Sequence, residues 1–296
     1  MVRRTLVASA MWCAAIMAAG QSFPYQDVRP LVAGLATCSE QACVALSDSI
    51  ADALESMLQA DGAFESLSSA PDFMAGVTSG DGRLRVYTWN WAHEDRTSGY
   101  GGLVAFQSKD GGVEFTRLLD RSSADRSDEQ QSLKAEDWHG ALYYAMVPDA
   151  VDKDTWLLLG WDDADAQVTR KVIEPLQVRP RGIRFGAPVL QTTTGLRRRY
   201  ILEYADAVQA SLRYQREERG RNGHGERIVF DHLGPREPHL SGITAYYGPD
   251  MTFDAFIPGK RPGAPWVLEE KTEVSQALPG DRPFVDPRPR NGGRNR

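Results

Sequence analysis

The stretch ERIVFDHLGPREPHL, residues 226 to 240, sets Asp231 beside His232, with His239 seven positions further on and His224 just upstream. A carboxylate next to an imidazole is the raw material of general-base catalysis, and grouped imidazoles bind transition metals. Both chemistries depend on where the side chains point. In an extended strand neighbouring residues face opposite ways, so His232 shares a face with Ile228 and Phe230 while Asp231 shares one with Val229 and Leu233. The pair bonds only if a bulge breaks the alternation. Gly234-Pro235 is expected to stop the strand, leaving Asp231 to accept backbone N–H bonds in a turn and His232 partly buried. A metal site that joins His232 to His224 or His239 is the rival reading.

Carboxylates gather at Asp162, Asp163 and Asp165, and again at Asp149, Asp152 and Asp154. Alternate Asp residues can turn their oxygens towards one hard cation, so a structural calcium ion is one reading of Asp162, Asp163 and Asp165. Neither group has the glycine and distal glutamate of an EF-hand. Ordinary acidic turns, with Asp side chains standing in for backbone acceptors, explain both groups more simply. Aromatics offer a binding surface: Tyr87, Trp89 and Trp91 fall on one strand face at alternate positions. Left open, that face is a platform for sugar rings or polymer chains; closed, it is core. The opposite face, Val86, Thr88 and Asn90, grows polar along the strand, which tilts the aromatic face inward.

No catalytic residue can be assigned. The sequence contains no G-x-S-x-G elbow, no H-E-x-x-H and no G-x-x-x-x-G-K-[ST]. Gly99-Tyr100-Gly101-Gly102 lacks the spacing of a dinucleotide loop and sits among strands. Distant residues can still assemble a triad, so the missing motifs weigh against an enzyme and leave the hydrolase as the alternative reading.

These residues must be positioned by two kinds of element. From about Glu40 to Gln59, Cys43, Leu46, Ile50, Leu54, Met57 and Leu58 recur at helical spacing, and Asp61-Gly62 closes an amphipathic helix. From Leu84 onward the texture is that of strands: LRVYTWNW, GLVAFQSK, VEFTRLL, GALYYAMVP, DTWLLLGW, RKVIEPLQV, RRYILEY, ASLRYQRE, RIVFDHL, TFDAFI and PWVLEEKTEV, separated by Gly, Asp, Asn and Pro. LLLGW reads as a strand buried on both sides. The spacing is too irregular for a propeller. The expected fold is mainly β, an antiparallel meander forming a sandwich or open barrel, preceded by one amphipathic N-terminal helix. Residues 121 to 131 and 216 to 225 read as long polar loops.

The ends carry different signals. Arg3 and Arg4 precede an apolar run from Thr5 to Met17 and a small-residue exit at Ala18 and Gly20, the pattern of a signal peptide over residues 1 to 20. That run is too short to span a bilayer, and Met11 and Trp12 before Cys13 argue against a lipoprotein. A helical segment is expected over residues 21–70, an all-β domain over 71–275, and a disordered, Arg-rich tail over 276–296. That tail could touch anionic lipid headgroups through charge alone. The formal net charge of the whole chain is -6. An acidic body repels phosphate backbones, so nucleic acid is disfavoured as a partner, and no later segment reads as transmembrane. Cys38 and Cys43 remain after export and suggest a disulfide. The bond needs Cys38 outside the helix with Ser39 as N-cap, whereas a capping box of Thr37 with Glu40 would forbid it.

SGDGRLRVYTWN (79 to 90), WHGALYYAMV (138 to 147), LLLGWDDAD (157 to 165), RKVIEPL (170 to 176), EYADAVQASLRY (203 to 214), IVFDHLGP (228 to 235) and YGPDMTFDAF (247 to 256) occur in this order. As a set they resemble a group of uncharacterised exported proteins of Bacteroidetes-type bacteria. The resemblance covers roughly residues 70 to 275; the Arg-rich loop near Arg219 and the Arg-rich tail depart from it. It implies a single β-rich unit made after export and carries no activity. The expected function is therefore a non-enzymatic binding or envelope-associated module in the periplasm or on the outer surface, with carbohydrate or an envelope component as partner. The alternative is a hydrolase of envelope or dietary polymers acting through carboxylates or His232.

Overall fold

The computed structural model describes residues 25–67, 70–120, 128–149, 152–216, 225–261 and 263–272. The expectations for the signal peptide, His224, the basic tail and most of the two polar loops lie outside the described residues.

The N-terminal part is a helical layer: α1 (Val28–Gly34), α2 (Glu40–Gln59) and α3 (Ala63–Ser66). The periodicity placed α2 correctly, and Ile50, Leu54 and Leu58 are its buried stripe. Ser39 is its extended N-cap, so Cys38 stands outside the helix and is bonded to Cys43 across a Cα separation of 5.3 Å. Gly62, at φ 68°, supplies the left-handed turn that leads into α3. Among the described residues no helix is long and apolar enough to cross a membrane.

Three sheets follow. The first is an antiparallel meander of β1 (Ala75–Thr78), β2 (Leu84–Ala92), β3 (Ser98–Gln107) and β4 (Val113–Leu119). The second contains β5 (Leu133–Lys134), β6 (Leu142–Pro148), β7 (Thr155–Asp162), β8 (Val168–Arg179) and β9 (Gly182–Phe185) in the order β5-β9-β8-β7-β6. The third is built from β10 (Leu190–Thr192), β11 (Gly195–Arg197), β13 (Leu212–Arg216), β14 (Glu226–Pro235), β15 (Tyr247–Ile257) and β16 (Trp266–Glu269), whereas β12 (Tyr200–Ala205) pairs with the first half of β8. β10 runs parallel to β16; every other pairing is antiparallel.

Three cores arrange these pieces as stacked layers. Tyr87, Trp89, Trp91 and Leu103 of the first sheet pack with Ile50, Leu54 and Leu58 of α2. The reverse face of that sheet, with Val86, Tyr100 and Val104, meets Trp138, Tyr143, Leu158 and Phe185. Leu157, Leu159 and Ile173 then pack with Ile228, Phe230, Phe256 and Trp266 of the third sheet. The chain is thus mainly β, with antiparallel sheets packed face to face, none closed into a barrel, and helices at the N-terminal end. Covered by a sheet on each side, β7 is buried at every position, which is why LLLGW is apolar without alternation.

Glycine explains how the tryptophans fit. In the ladder Trp89 lies opposite Gly101 and Trp91 opposite Gly99. A Cβ on Gly99 would come within 2.4 Å of the Trp91 ring, and one on Gly101 within 2.4 Å of the Trp89 Nε1. The GYGG run is a pair of seats for indole rings beneath α2.

One strand end differs from expectation. β14 continues through Gly234 and Pro235, which pair with Gly248 and Tyr247 of β15. A register shift between Asp231 and Leu233 lets residues 250–252 of β15 bow out opposite His232. Met251, at the bow, has φ 73° and is 87% exposed. Pro235 ends the strand, where a missing N–H costs the ladder little.

Candidate functional site

The residues singled out by type do not converge. Tyr87, Trp89 and Trp91 are buried under the helical layer, so their shared face is closed, and the Trp89 indole donates to Ser47 Oγ at 2.9 Å. Asp162, Asp163 and Asp165 go three ways. Asp162, wholly buried, accepts a bond from the Tyr100 hydroxyl at 3.1 Å and lies 3.4 Å from Arg170 and 3.3 Å from His139 Nε2. Asp163 accepts from Ser98 Oγ, and Asp165 accepts from the backbone N–H groups of Gln167 and Val168. Asp152 likewise accepts from the Asp154 N–H and the Thr155 hydroxyl, the turn role expected of it. Among the described residues no group of three or more His, Cys, Asp or Glu is gathered to hold a metal ion.

Two polar networks cross the second sheet. Glu174 on β8 accepts hydrogen bonds from the Tyr143 hydroxyl and from Arg199. Arg199 also donates to the backbone carbonyls of Asp128 and Gln131 at 3.1 and 3.2 Å. Burial, reinforced by the adjoining Glu174 charge, holds the Tyr143 phenol far above its ordinary range, so it stays a neutral donor. Further along β8, Arg170 spans Asp162 and Glu203 of β12. Neither network lines the recesses described below, and both read as structural.

His232 has a carboxylate partner, but not its sequence neighbour. Asp231 accepts the Ser211 N–H at 2.6 Å. The Nδ1 of His232 lies 2.8 Å from Asp254 of β15, and Asp254, nearly buried, also accepts the Lys271 N–H. The Nε2 lies 3.9 Å from Asp250, whose carboxyl is held below the ordinary carboxylate range chiefly by hydrogen bonding from Thr252. His239 is far more exposed and faces Glu237.

A recess with both apolar and polar walls lies elsewhere. Pairing of β1 with β2 covers Arg85 to Thr88 and stops at Ala75, so beyond Thr88 the edge of β2 has no strand on that side among the described residues. A cleft of about 380 Å³ opens there, lined by Phe73, Thr88, Trp89, Asn90, Leu142 and Tyr144, among others. Its walls are fixed. The Arg29 guanidinium lies 4.4 Å over the Phe73 ring and pairs with Asp72 at 3.0 Å, while Tyr25 meets Phe73 edge-on. Tyr144 sits at a bulge in β6 between Tyr143 and Ala145 and donates its hydroxyl to the Leu212 carbonyl at 3.0 Å. Burial raises its phenol well above the ordinary value. Thr88 is occupied, accepting the Tyr143 N–H. Asn90 is half-buried, and its side-chain amide has no partner among the described residues. The cleft therefore combines aromatic and aliphatic surface, one uncommitted amide with two donors and an acceptor, and a free strand edge. Its ionisable lining is Asp72, engaged by Arg29, and a phenol that stays protonated; it can hold a ligand but is not set up to move protons.

Sequence reasoning named Trp89 but missed Asn90, Phe73 and Tyr144. The one available signal was the polar drift Val86, Thr88, Asn90 along β2. The chain matches no protein-family model, no curated protein and no solved structure.

Proposed function

We propose that the chain is an exported, non-enzymatic binding module, associated with the cell envelope, that takes a neutral polyhydroxylated ligand such as one unit of a saccharide in the cleft beside β1. The observation that carries this reading is Asn90: a half-buried amide with no partner among the described residues, at the mouth of a strand edge and set against aromatic rings. Hydroxyl-rich ligands meet such mixed walls well, since ring C–H surfaces lie on aromatics while hydroxyls bond an amide and backbone groups. Export is supported by the N-terminal pattern and by the Cys38–Cys43 bond, which suits an oxidising compartment. The resemblance to exported β-rich proteins points the same way.

Titration with neutral mono- to tetrasaccharides, followed by calorimetry and by amide resonances, tests this. Asn90→Ala should weaken binding about tenfold, the worth of one or two hydrogen bonds, and leave the unfolding temperature unchanged. Saccharides that move no resonance of the cleft, or an Asn90→Ala protein that binds as the parent does, would sink the proposal.

A hydrolase is the second reading, favoured by one observation: the imidazole of His232 is ordered through Nδ1 by Asp254, and its Nε2, 3.9 Å from Asp250, makes no hydrogen bond among the described residues. Such an orientation is that of a general base. If it operates, release of reducing ends from envelope polymers should fall by about two orders of magnitude or more in His232→Ala. An equal rate in the variant, or none in the parent, leaves the histidine as a structural link between β14 and β15.

A further inference from the structure

At the far end of the second sheet, β8 and β9 are joined by the two-residue turn Pro180–Arg181, with Arg179 paired to Gly182. A cavity of about 320 Å³ lies against this hairpin, lined by Arg179, Pro180, Arg181, Gly182 and Arg184. In the ladder Arg184 stands opposite Gln177 on one side and Lys134 of β5 on the other. Like charges directly opposite in a sheet repel and weaken the pairing. Two carboxylates answer part of this charge: Asp152 pairs with Arg179, and Glu136 lies 3.7 Å from Lys134. Arg181 and Arg184 are exposed, and neither has a hydrogen-bonding or ionic partner among the described residues. Four cations against two anions thus form a positive corner on a chain of formal net charge -6.

We infer that this hairpin is a binding site for the sulfate or phosphate groups of an anionic glycan. A guanidinium presents its N–H groups as a planar fork that matches two oxygens of a tetrahedral oxyanion. Two free forks on one hairpin, with the arginine stems and Pro180 giving the cavity an apolar floor, fit a charged group carried on a sugar ring better than a bare ion. Binding such a group also relieves the Lys134–Arg184 repulsion, which Glu136 offsets only from the Lys134 side. The site lies apart from the cleft at β1 and shares no residue with it, so it stands or falls independently of the proposed function.

The test uses the full chain and dextran sulfate as probe, with neutral dextran and sodium sulfate as comparison arms, in low salt. Dextran sulfate should bind and neutral dextran should not, and raising the salt from about 50 to 300 mM should weaken binding strongly. Arg181→Glu with Arg184→Glu should lower affinity about tenfold or more, as expected for loss of two charge-assisted contacts. Arg236→Glu with Arg261→Glu makes the same change in net charge at exposed sites elsewhere, and should cost much less. Equal losses in the two double variants would mean that overall charge, or the Arg-rich tail, governs binding and would overturn the site. Complete displacement of the polymer by sodium sulfate at matched sulfate concentration would overturn the glycan assignment in favour of a free ion. Unchanged unfolding temperatures in both double variants exclude misfolding as the cause.

Discussion

Replacing Arg199 with methionine should destabilise the protein by about 3–5 kcal/mol, the cost of leaving a buried carboxylate without its counter-charge. Arg199 is 1% exposed and Glu174 is fully buried. Without the guanidinium, Glu174 keeps only the Tyr143 hydroxyl as a donor among the contacts described. The carbonyls of Asp128 and Gln131 lose their donors too, so the segment entering β5 keeps its Glu129 bonds to residues 198, 199 and 201 but loses its link to Glu174 of β8. Urea denaturation should show a lower midpoint, and the unfolding temperature should fall by on the order of 10 °C for a body of this size. The cause is separable from lost volume. The triple variant Tyr143→Phe, Glu174→Leu, Arg199→Met removes the charge pair and its hydroxyl partner together, and should be more stable than Arg199→Met alone, because apolar replacement of a whole buried network is tolerated better than its rupture. A single variant within about 1 kcal/mol of the parent would mean that water already solvates Glu174.

The same network shows what a sequence can and cannot convey. Glu174 interrupts an apolar run, RKVIEPLQV, and its partners come from β6 and from the residue just before β12, 31 and 25 residues away. Hydrophobic periodicity finds α2 to the residue, because a buried stripe repeats over 20 positions. The eleven long apolar runs each seat a strand for the same reason. Five short strands escape it: β1, β5, β9, β10 and β11 have four residues or fewer, and unlike the equally short β16 they lie in no apolar run that marks them. The closed aromatic face was legible from the polarity of its reverse side. The cleft was not, since it exists because β1 stops at Ala75 while β2 runs on, a matter of partner length and not of composition. The Asp231–His232 pairing fails for a related reason. Adjacent residues part company on a strand, and the carboxylate that reaches His232 arrives 22 residues later, on β15, through a bulge that no local signal announces.

Gly101 is where fold and proposed function meet. Substitution by valine should cost at least about 3 kcal/mol, more than ordinary overpacking, because the new atoms would occupy space held by a ring. Even a single Cβ would stand 2.3 Å from Ser47 Oγ and 2.4 Å from Trp89 Nε1, the two atoms that bond to each other across α2 and β2. Neither can retreat cheaply: Ser47 is on a helix whose other contacts fix it, and Trp89 lies in a core with Leu54 and Leu103. The expected result is a first sheet that keeps its ladder while the helical layer lifts, seen as faster hydrogen exchange along α2 and altered tryptophan fluorescence. Gly80→Ala is the matching control, since a Cβ there meets nothing within 4 Å and the backbone conformation is not left-handed. It should change stability by less than about 0.5 kcal/mol. Because Trp89 also lines the cleft beside Asn90, Gly101→Val should lose saccharide binding along with the helical layer, whereas Asn90→Ala loses binding alone. A Gly101→Val protein with parental stability would show that the indole does not rest on the glycine, and the account of how α2 docks on the first sheet would have to be abandoned.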